Sequence, residues 1–152
     1  VCEKMPEAKL AIIGGNEKKA KLKFLEKIKK NKLKKNIEVL GFLDDNEAFS
    51  VLKASKVFIF PSHEEGWGIA IAEAMACGLP VVSWDLPVYK EIFKGYTVQV
   101  KENDINLLSD SVLHLLVDEG CRKEVGNKGK EFIKKYSWEE VARKELEIIK
   151  AE

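Results

Sequence analysis

Glu65 and Glu73 have seven residues between them in the run Pro61-Ser62-His63-Glu64-Glu65-Gly66-Trp67-Gly68-Ile69-Ala70-Ile71-Ala72-Glu73. Spacing alone is uninformative, because Glu131 and Glu139, then Glu139 and Glu147, repeat it within helical runs. The setting distinguishes the first pair. An apolar strand over residues 57–60 leads into a Pro-Ser turn, two glycines and a small-residue helix over 70–77. A strand–glycine loop–helix unit offers free backbone N–H groups and the positive end of a helix to an anion, usually phosphate. One carboxylate in the loop and another a turn into the helix can hold hydroxyls beside it. The combination describes a site for a phosphorylated polyol or a nucleotide sugar.

Gly66 and Gly68 let a ligand approach the backbone and let the loop take φ > 0. The N–H groups from about Trp67 to Ala70 then point at a phosphate. Glu65 can accept hydrogen bonds from sugar hydroxyls or stabilise developing positive charge at a reacting carbon, and Glu73 can accept two from a ribose diol. Chemistry alone reaches "phosphate plus diol", a signal comparable to a lone glycine fingerprint. The plainer alternative makes Glu73 a surface residue of an amphipathic helix and gives the glycines a packing role only. Glu64 reads as solvated. His63 is either a substrate contact or an incidental loop histidine, and Trp67 either a ligand wall or an interface residue. Trp84 and Trp138 read as core or edge packing. Lys90 and Glu91 read as helix surface near the same cleft.

The elements that must position these groups alternate. Strands are predicted at residues 9–13, 37–40, 57–60, 80–84 and 97–100, the first ending in Gly14-Gly15. Helices are predicted at 17–30, at 46–54 with Asp44 or Asp45 near the N-cap, at 69–77 stopped by Gly78 and Pro80, and from the Asp85-Leu86-Pro87 turn through Phe93. Beyond Asn103-Asp104 the pattern is wholly helical. One stripe is Ile105, Leu108, Val112, Leu115 and Leu116, and a second helix covers 121–136. The last helix, with Trp138, Val141, Ala142, Leu146 and Ile149 on one stripe, begins at a Ser137/Glu140 capping box. Continuously apolar strands linked by helices indicate an α/β fold, a three-layer Rossmann-like parallel sheet. Ligands in such sheets sit beyond the carboxyl ends of the strands, where Gly14-Gly15, residues 43–45 and residues 63–68 are expected to gather.

The chain has 152 residues, enough for one domain burying roughly 70% of its unfolded surface. No apolar run approaches the roughly 20 residues that span a bilayer, and the N-terminus has no signal-peptide pattern. Cys2, Cys77 and Cys121 lack metal-ligand spacing and read as reduced, cytoplasmic thiols, with Cys77 buried. The net charge of +1 hides an asymmetry: residues 1–35 carry 12 Lys/Arg against 4 acids. Most of that excess lies in residues 18–35, a lysine-rich helix and its exit. It reads as a solvated face or as a footprint for an anionic surface. With little arginine and no aromatic interleaving, no nucleic-acid partner is expected.

The ordered series resembles the donor-binding half of the retaining GT-B glycosyltransferases, specifically the glycosyltransferase group 1 family. It comprises Ala8-Lys9-Leu10-Ala11-Ile12-Ile13-Gly14-Gly15, Val39-Leu40-Gly41-Phe42-Leu43, residues 57–62, Glu65-Gly66-Trp67-Gly68, Glu73-Ala74-Met75-Ala76-Cys77-Gly78-Leu79-Pro80-Val81-Val82 and Tyr136-Ser137-Trp138. The resemblance covers nearly the whole chain. It implies that Glu65, the catalytic candidate, lies against the transferred hexose and that Glu73 binds the nucleotide ribose. Amides around Gly66, Trp67, Gly68, Ile69 and Ala70 would contact hexose and diphosphate, and the loop at Leu43 would meet the base through its backbone. It also implies retention by front-face displacement, with no metal or other cofactor and a UDP- or GDP-linked sugar as co-substrate. The implied partners are the nucleotide-sugar donor and an N-terminal acceptor-binding domain, with an anionic membrane surface as a further candidate and the protein peripheral on its inner face.

Two departures from the family bear on these expectations. The acceptor-binding domain is not in residues 1–152, nor is the first donor-domain strand with its diphosphate-neutralising Arg and Lys. A 3-2-1-4-5-6 sheet without that strand becomes 2-1-3-4-5 if the strands at 9–13 and 57–60 close the gap. The chain is therefore expected to be a donor-binding fragment that transfers nothing alone. The alternatives are a catalytically empty nucleotide-sugar-binding module or another GT-B enzyme, such as a nucleotide-sugar epimerase.

Overall fold

The computed structural model describes residues 1–15 and 18–150, without the side chains of residues 18–20. Glu17, the expected start of the first helix, lies outside the described residues. The chain divides into two compact units, Val1–Ala54 and Ser55–Glu152.

The first unit contains β1 (Leu10–Ile13), α1 (Lys18–Lys30), β2 (Ile37–Gly41) and α2 (Asp45–Ala54). β1 and β2 are parallel, with Leu10 opposite Ile37 and Ile12 opposite Val39, and the register slips between Ile12 and Ile13. The Asn36 side-chain amide donates to the Pro6 and Ala8 carbonyls at 2.7 and 2.8 Å, fixing the approach to β1. α2 begins in a reciprocal box. The Glu47 N–H donates to Asp44 Oδ1 at 2.9 Å, and the Asp44 N–H donates to Glu47 Oε2 at 3.2 Å. Among the described residues of this unit, Ile28 and Leu52 are the buried apolar side chains.

The second unit runs β3 (Phe58–Phe60), α3 (Ile69–Ala76), β4 (Val81–Trp84), α4 (Pro87–Ile92), β5 (Val98–Val100), α5 (Ile105–Val117) and α6 (Glu119–Ile133). A 3-10 turn, Lys134–Tyr136, leads to α7 (Trp138–Lys150). β3, β4 and β5 are parallel in that order. β4 is central and buried along its length, because both its edges are paired while α3 and α5 pack on it. The core gathers Ile71, Ala74, Met75, Val81, Val82, Trp84, Tyr89, Phe93 and Leu115. α6 lies close to α3 because of its glycines: a Cβ on Gly126 would come within 2.2 Å of the Gly78 carbonyl oxygen, and one on Gly129 within 3.3 Å of Met75.

Several expectations change. Among the described residues five parallel strands form, in two sheets ordered β2–β1 and β3–β4–β5 rather than in one 2-1-3-4-5 ladder. One edge of β1 and one of β3 thus carry N–H and C=O groups with no strand partner among the described residues. α6 starts earlier than expected because Asp118 caps it, accepting from the Cys121 N–H at 2.8 Å. The Ser137/Glu140 box is half made. The Glu140 N–H donates to Ser137 Oγ at 3.2 Å, while the Glu140 carboxylate turns to Arg143 instead. Trp138 is 85% exposed, and α7 buries no side chain, so its apolar stripe faces outward. Cys77, the C-cap of α3, is half-buried rather than buried; none of the three cysteines forms a disulfide.

Candidate functional site

Residues 61–68 connect β3 to α3 and are held at both ends. The Trp84 indole N–H donates to the Pro61 carbonyl at 3.0 Å. His63 Nδ1 lies 2.6 Å from Glu102 Oε1, with its ring tilted against Trp84 at 6.1 Å between centroids. Ser62 Oγ donates to the Glu64 carbonyl at 3.0 Å, tightening the turn between them. At the far end Trp67 packs edge-on against Phe93 (5.4 Å) and Tyr136 (5.2 Å). A loop fixed at Pro61, His63 and Trp67 presents Glu65 from a defined position. This is the preorganisation a binding loop needs.

Gly68 ends the loop as the N-cap of α3 at φ 100°, a conformation strained for any side chain. Space forbids one as well: a Cβ there would meet Tyr89 Cε1 at 3.2 Å and Phe93 Cε2 at 3.3 Å. Gly66 has open space around it and no positive φ, so its role is to leave room. The Gly68 carbonyl accepts from the Ile71 and Ala72 N–H groups, at 3.0 and 3.2 Å. The Ile69 and Ala70 N–H groups come earlier, in the open first turn where a helix offers donors to an anion. Ile71, Ala74 and Met75 form the buried face of α3, while Ile69, Glu73 and Ala76 share the exposed one. Helical side chains lean toward the N-terminus, so the Glu73 carboxylate reaches back over the turn carrying those donors. Glu65 is half-buried and Glu73 exposed, and neither carboxylate forms an ion pair or hydrogen bond among the described residues.

Two neighbours complete this rim. Asp85 accepts the Glu102 N–H at 2.9 Å and pairs with Lys90 at 2.8 Å, tying the end of β4 to the second residue after β5. The Lys90 hydrogen bond, seconded by the Glu102 N–H, holds the Asp85 carboxyl below its ordinary range. Tyr89 is fully buried beneath Gly68, and its hydroxyl has no hydrogen-bond partner among the described residues. Burial, with the Glu65 charge adding to it, pushes that hydroxyl up to about 12. An unsatisfied buried hydroxyl costs about 1–3 kcal/mol. Among the described residues no group of three or more His, Cys, Asp or Glu is arranged to hold a metal ion.

The model of the glycosyl transferases group 1 family matches residues 1–132. The chain belongs to that family. It is 36% identical over 122 residues to an uncharacterized glycosyltransferase of Methanocaldococcus jannaschii, covering 77% of this chain and 35% of that protein. It is 30% identical to the O-antigen chain mannosyltransferase B of Escherichia coli, covering 75% and 30%. Among solved structures it resembles Staphylococcus aureus TarM in complex with UDP, at TM-score 0.85 and 26% identity over 96% of this chain and 30% of that one. The sucrose-phosphate synthase of Thermosynechococcus elongatus shares the fold, with TM-score 0.85 at 23% identity over 97% and 39%. The chain spans about a third of the length of the curated relatives it matches. The GT-B group 1 resemblance read from the motifs is therefore the correct family, and the α/β parallel-sheet class is the observed one.

Within this family member the second unit brings Glu65, Gly66, Trp67, Gly68, Ile69, Ala70 and Glu73 into one loop–helix junction. Leu43 belongs to the first unit, half-buried in the connection between β2 and α2, and Gly14-Gly15 follow β1 there with φ of 96° and 81°. The Trp67 ring is taken up by the aromatic cluster, against Phe93 and Tyr136. Trp84 is core, as expected, and Lys90 is engaged with Asp85. Sequence reasoning missed Tyr89, Asp85 and Glu102. Tyr89 and Phe93 lie four apart in the short helix after the Asp85-Leu86-Pro87 turn, and the one available signal was a tyrosine where phenylalanine would pack equally well.

Proposed function

We propose that residues 1–152 form the donor-binding part of a longer glycosyltransferase that takes a nucleotide-diphospho-sugar and transfers its hexose, with retention, to a sugar or lipid-linked acceptor held by an upstream domain. The observation that carries this reading is the junction at Gly68. A rigid loop delivers open helix N–H donors, and two unpaired carboxylates flank them. The Ile69 and Ala70 amides and the positive end of α3 receive the diphosphate. Glu73 takes the ribose diol and Glu65 lies against the hexose. The donor's C1–O bond to the β-phosphate breaks as the acceptor oxygen bonds to C1 on the same face. The acceptor proton passes to the departing phosphate oxygen, and Glu65 stabilises the positive charge developing at C1. No metal or other cofactor enters this scheme. Support for a UDP or GDP donor comes from the UDP complex of TarM and from a Corynebacterium glutamicum relative named as a GDP-mannose-dependent mannosyltransferase, 28% identical over 97% of this chain.

Titration of the full-length protein with UDP- and GDP-sugars tests the reading. Glu73→Gln is expected to weaken donor binding about tenfold, and Glu65→Gln to cut turnover about a hundredfold. Unchanged binding and turnover in both variants overturns the site.

A membrane role rests on α1. On the side of the helix away from buried Ile28, Leu22 stands 63% exposed among Lys23, Lys29 and Lys30. An apolar side chain set in a lysine face suits an anionic lipid surface. No helix among the described residues is long and apolar enough to cross a bilayer, so the association proposed is peripheral, on the cytoplasmic leaflet. Binding to vesicles containing phosphatidylglycerol is expected to fall at least tenfold in a Lys23/Lys29/Lys30→Glu variant and to weaken as salt is raised. Salt-independent binding refutes the electrostatic footing.

A further inference from the structure

We propose that Tyr89 is a positioning residue for Glu65: with donor bound, its hydroxyl donates a hydrogen bond to the Glu65 carboxylate and fixes that group against the ligand. The inference rests on the nucleotide-sugar reading above and adds to it a residue outside the glutamate–glycine motif. Tyr89 is completely buried, and its hydroxyl finds no acceptor among the described residues. For packing alone the oxygen is a liability. Phe93, one turn on in the same cluster, fills its place without one.

The ring's orientation gives the oxygen a purpose. The atom nearest a Cβ built on Gly68 is Tyr89 Cε1, the ring carbon adjacent to the one bearing the hydroxyl. The polar end of Tyr89, rather than its stem, therefore lies under the glycine loop. Glu65 is three residues before Gly68 in that loop, and its carboxylate is the charge that acts on the Tyr89 hydroxyl. Because Pro61, His63 and Trp67 hold the loop, the approach of the two groups falls to the Glu65 side chain. Solvent does not reach the hydroxyl, so a carboxylate on the overlying loop is better placed than a ligand oxygen to accept from it. A charge-assisted O–H···O⁻ bond is short and directional, which is what holding a carboxylate in one orientation requires.

Tyr89→Phe in the full-length protein removes only the oxygen. The assay follows release of UDP or GDP from whichever of UDP-glucose, UDP-galactose and GDP-mannose the wild type consumes. Tyr89→Phe is expected to lower kcat roughly tenfold, to change KM less than about twofold, and to leave the melting temperature equal or higher. Added to Glu65→Gln it should cause no further loss, because the two groups act as one unit. An unchanged kcat overturns the inference, as does an equal loss in both backgrounds or a loss tracking a lowered melting temperature. A Glu65-dependent enzyme indifferent to Tyr89 sinks this inference alone. Indifference to Glu65 and Glu73 as well sinks the underlying reading.

Discussion

The two units use the same alternation of strand and helix, yet they differ in how completely it is buried. β1 has three exposed residues of four, and in its unit Ile28 and Leu52 are the buried apolar side chains among those described. β4 is buried at every position, and thirteen of the fifteen core side chains lie in the second unit. The cause is pairing and coverage. β4 has a strand on each side and helices packed on it, whereas β1 has one neighbour in a two-stranded sheet, an arrangement marginal by itself. The candidate loop hangs from the well-buried unit, so its geometry is set by a rigid base. The loop ends at Gly14-Gly15 and Leu43 hang from the open one.

The strongest challenge to this contrast is Gly126→Ala. Its Cβ would meet backbone at the α3–α6 contact, which cannot yield as a flexible side chain does. A loss of about 3 kcal/mol in denaturant unfolding is expected. The corresponding change in the first unit, Gly41→Ala, meets nothing within 4 Å and suffers only from its φ of 77°, so it should cost about 1 kcal/mol. Equal losses would show that the two units do not differ as their burial indicates.

A somewhat smaller effect concerns alkali. Tyr89 is raised in the folded state to about 12 from an ordinary value of 10.0, so unfolded chains lose this proton first. The associated stability is complete below pH 10 and is lost as pH rises from there to about 12, roughly 2–3 kcal/mol in all. Tyr89→Phe should lack that component, so the difference in unfolding midpoint between variant and wild type should change across this window. A constant difference from pH 9 to 12 would contradict it. Smallest is Leu22→Ala on α1: with the side chain mostly exposed, stability should move by less than about 0.5 kcal/mol. A larger loss would mean that the first unit hides a core its burial pattern does not reveal.

Legibility in the sequence followed the range of the interaction concerned. Gly68, the Asp44 start of α2 and the Gly78-Pro80 stop were readable because their causes act within a few residues: a positive φ, a side-chain cap, a missing N–H. The apolar periods located the strands within a residue or two. The Ser137/Glu140 box failed by half, because Arg143, one turn on, competes for the same carboxylate. The outward face of α7 misled for another reason. Periodicity reports that a helix has an apolar side but not what covers it, so Trp138 read as packed.

From residue order alone came the family, the α/β class and the small set of groups around Glu65 and Glu73, since glycine placement, carboxylate identity and strand–helix alternation are local properties. Only the tertiary structure placed the hydroxyl end of Tyr89 beneath Gly68 and Gly126 against Gly78, and gave β3, β4 and β5 a sheet apart from β1 and β2. Those pairings join residues from sixteen to forty-eight positions apart. Which of many compatible apolar surfaces meet is settled by close packing of the folded chain rather than by the preference of any one segment.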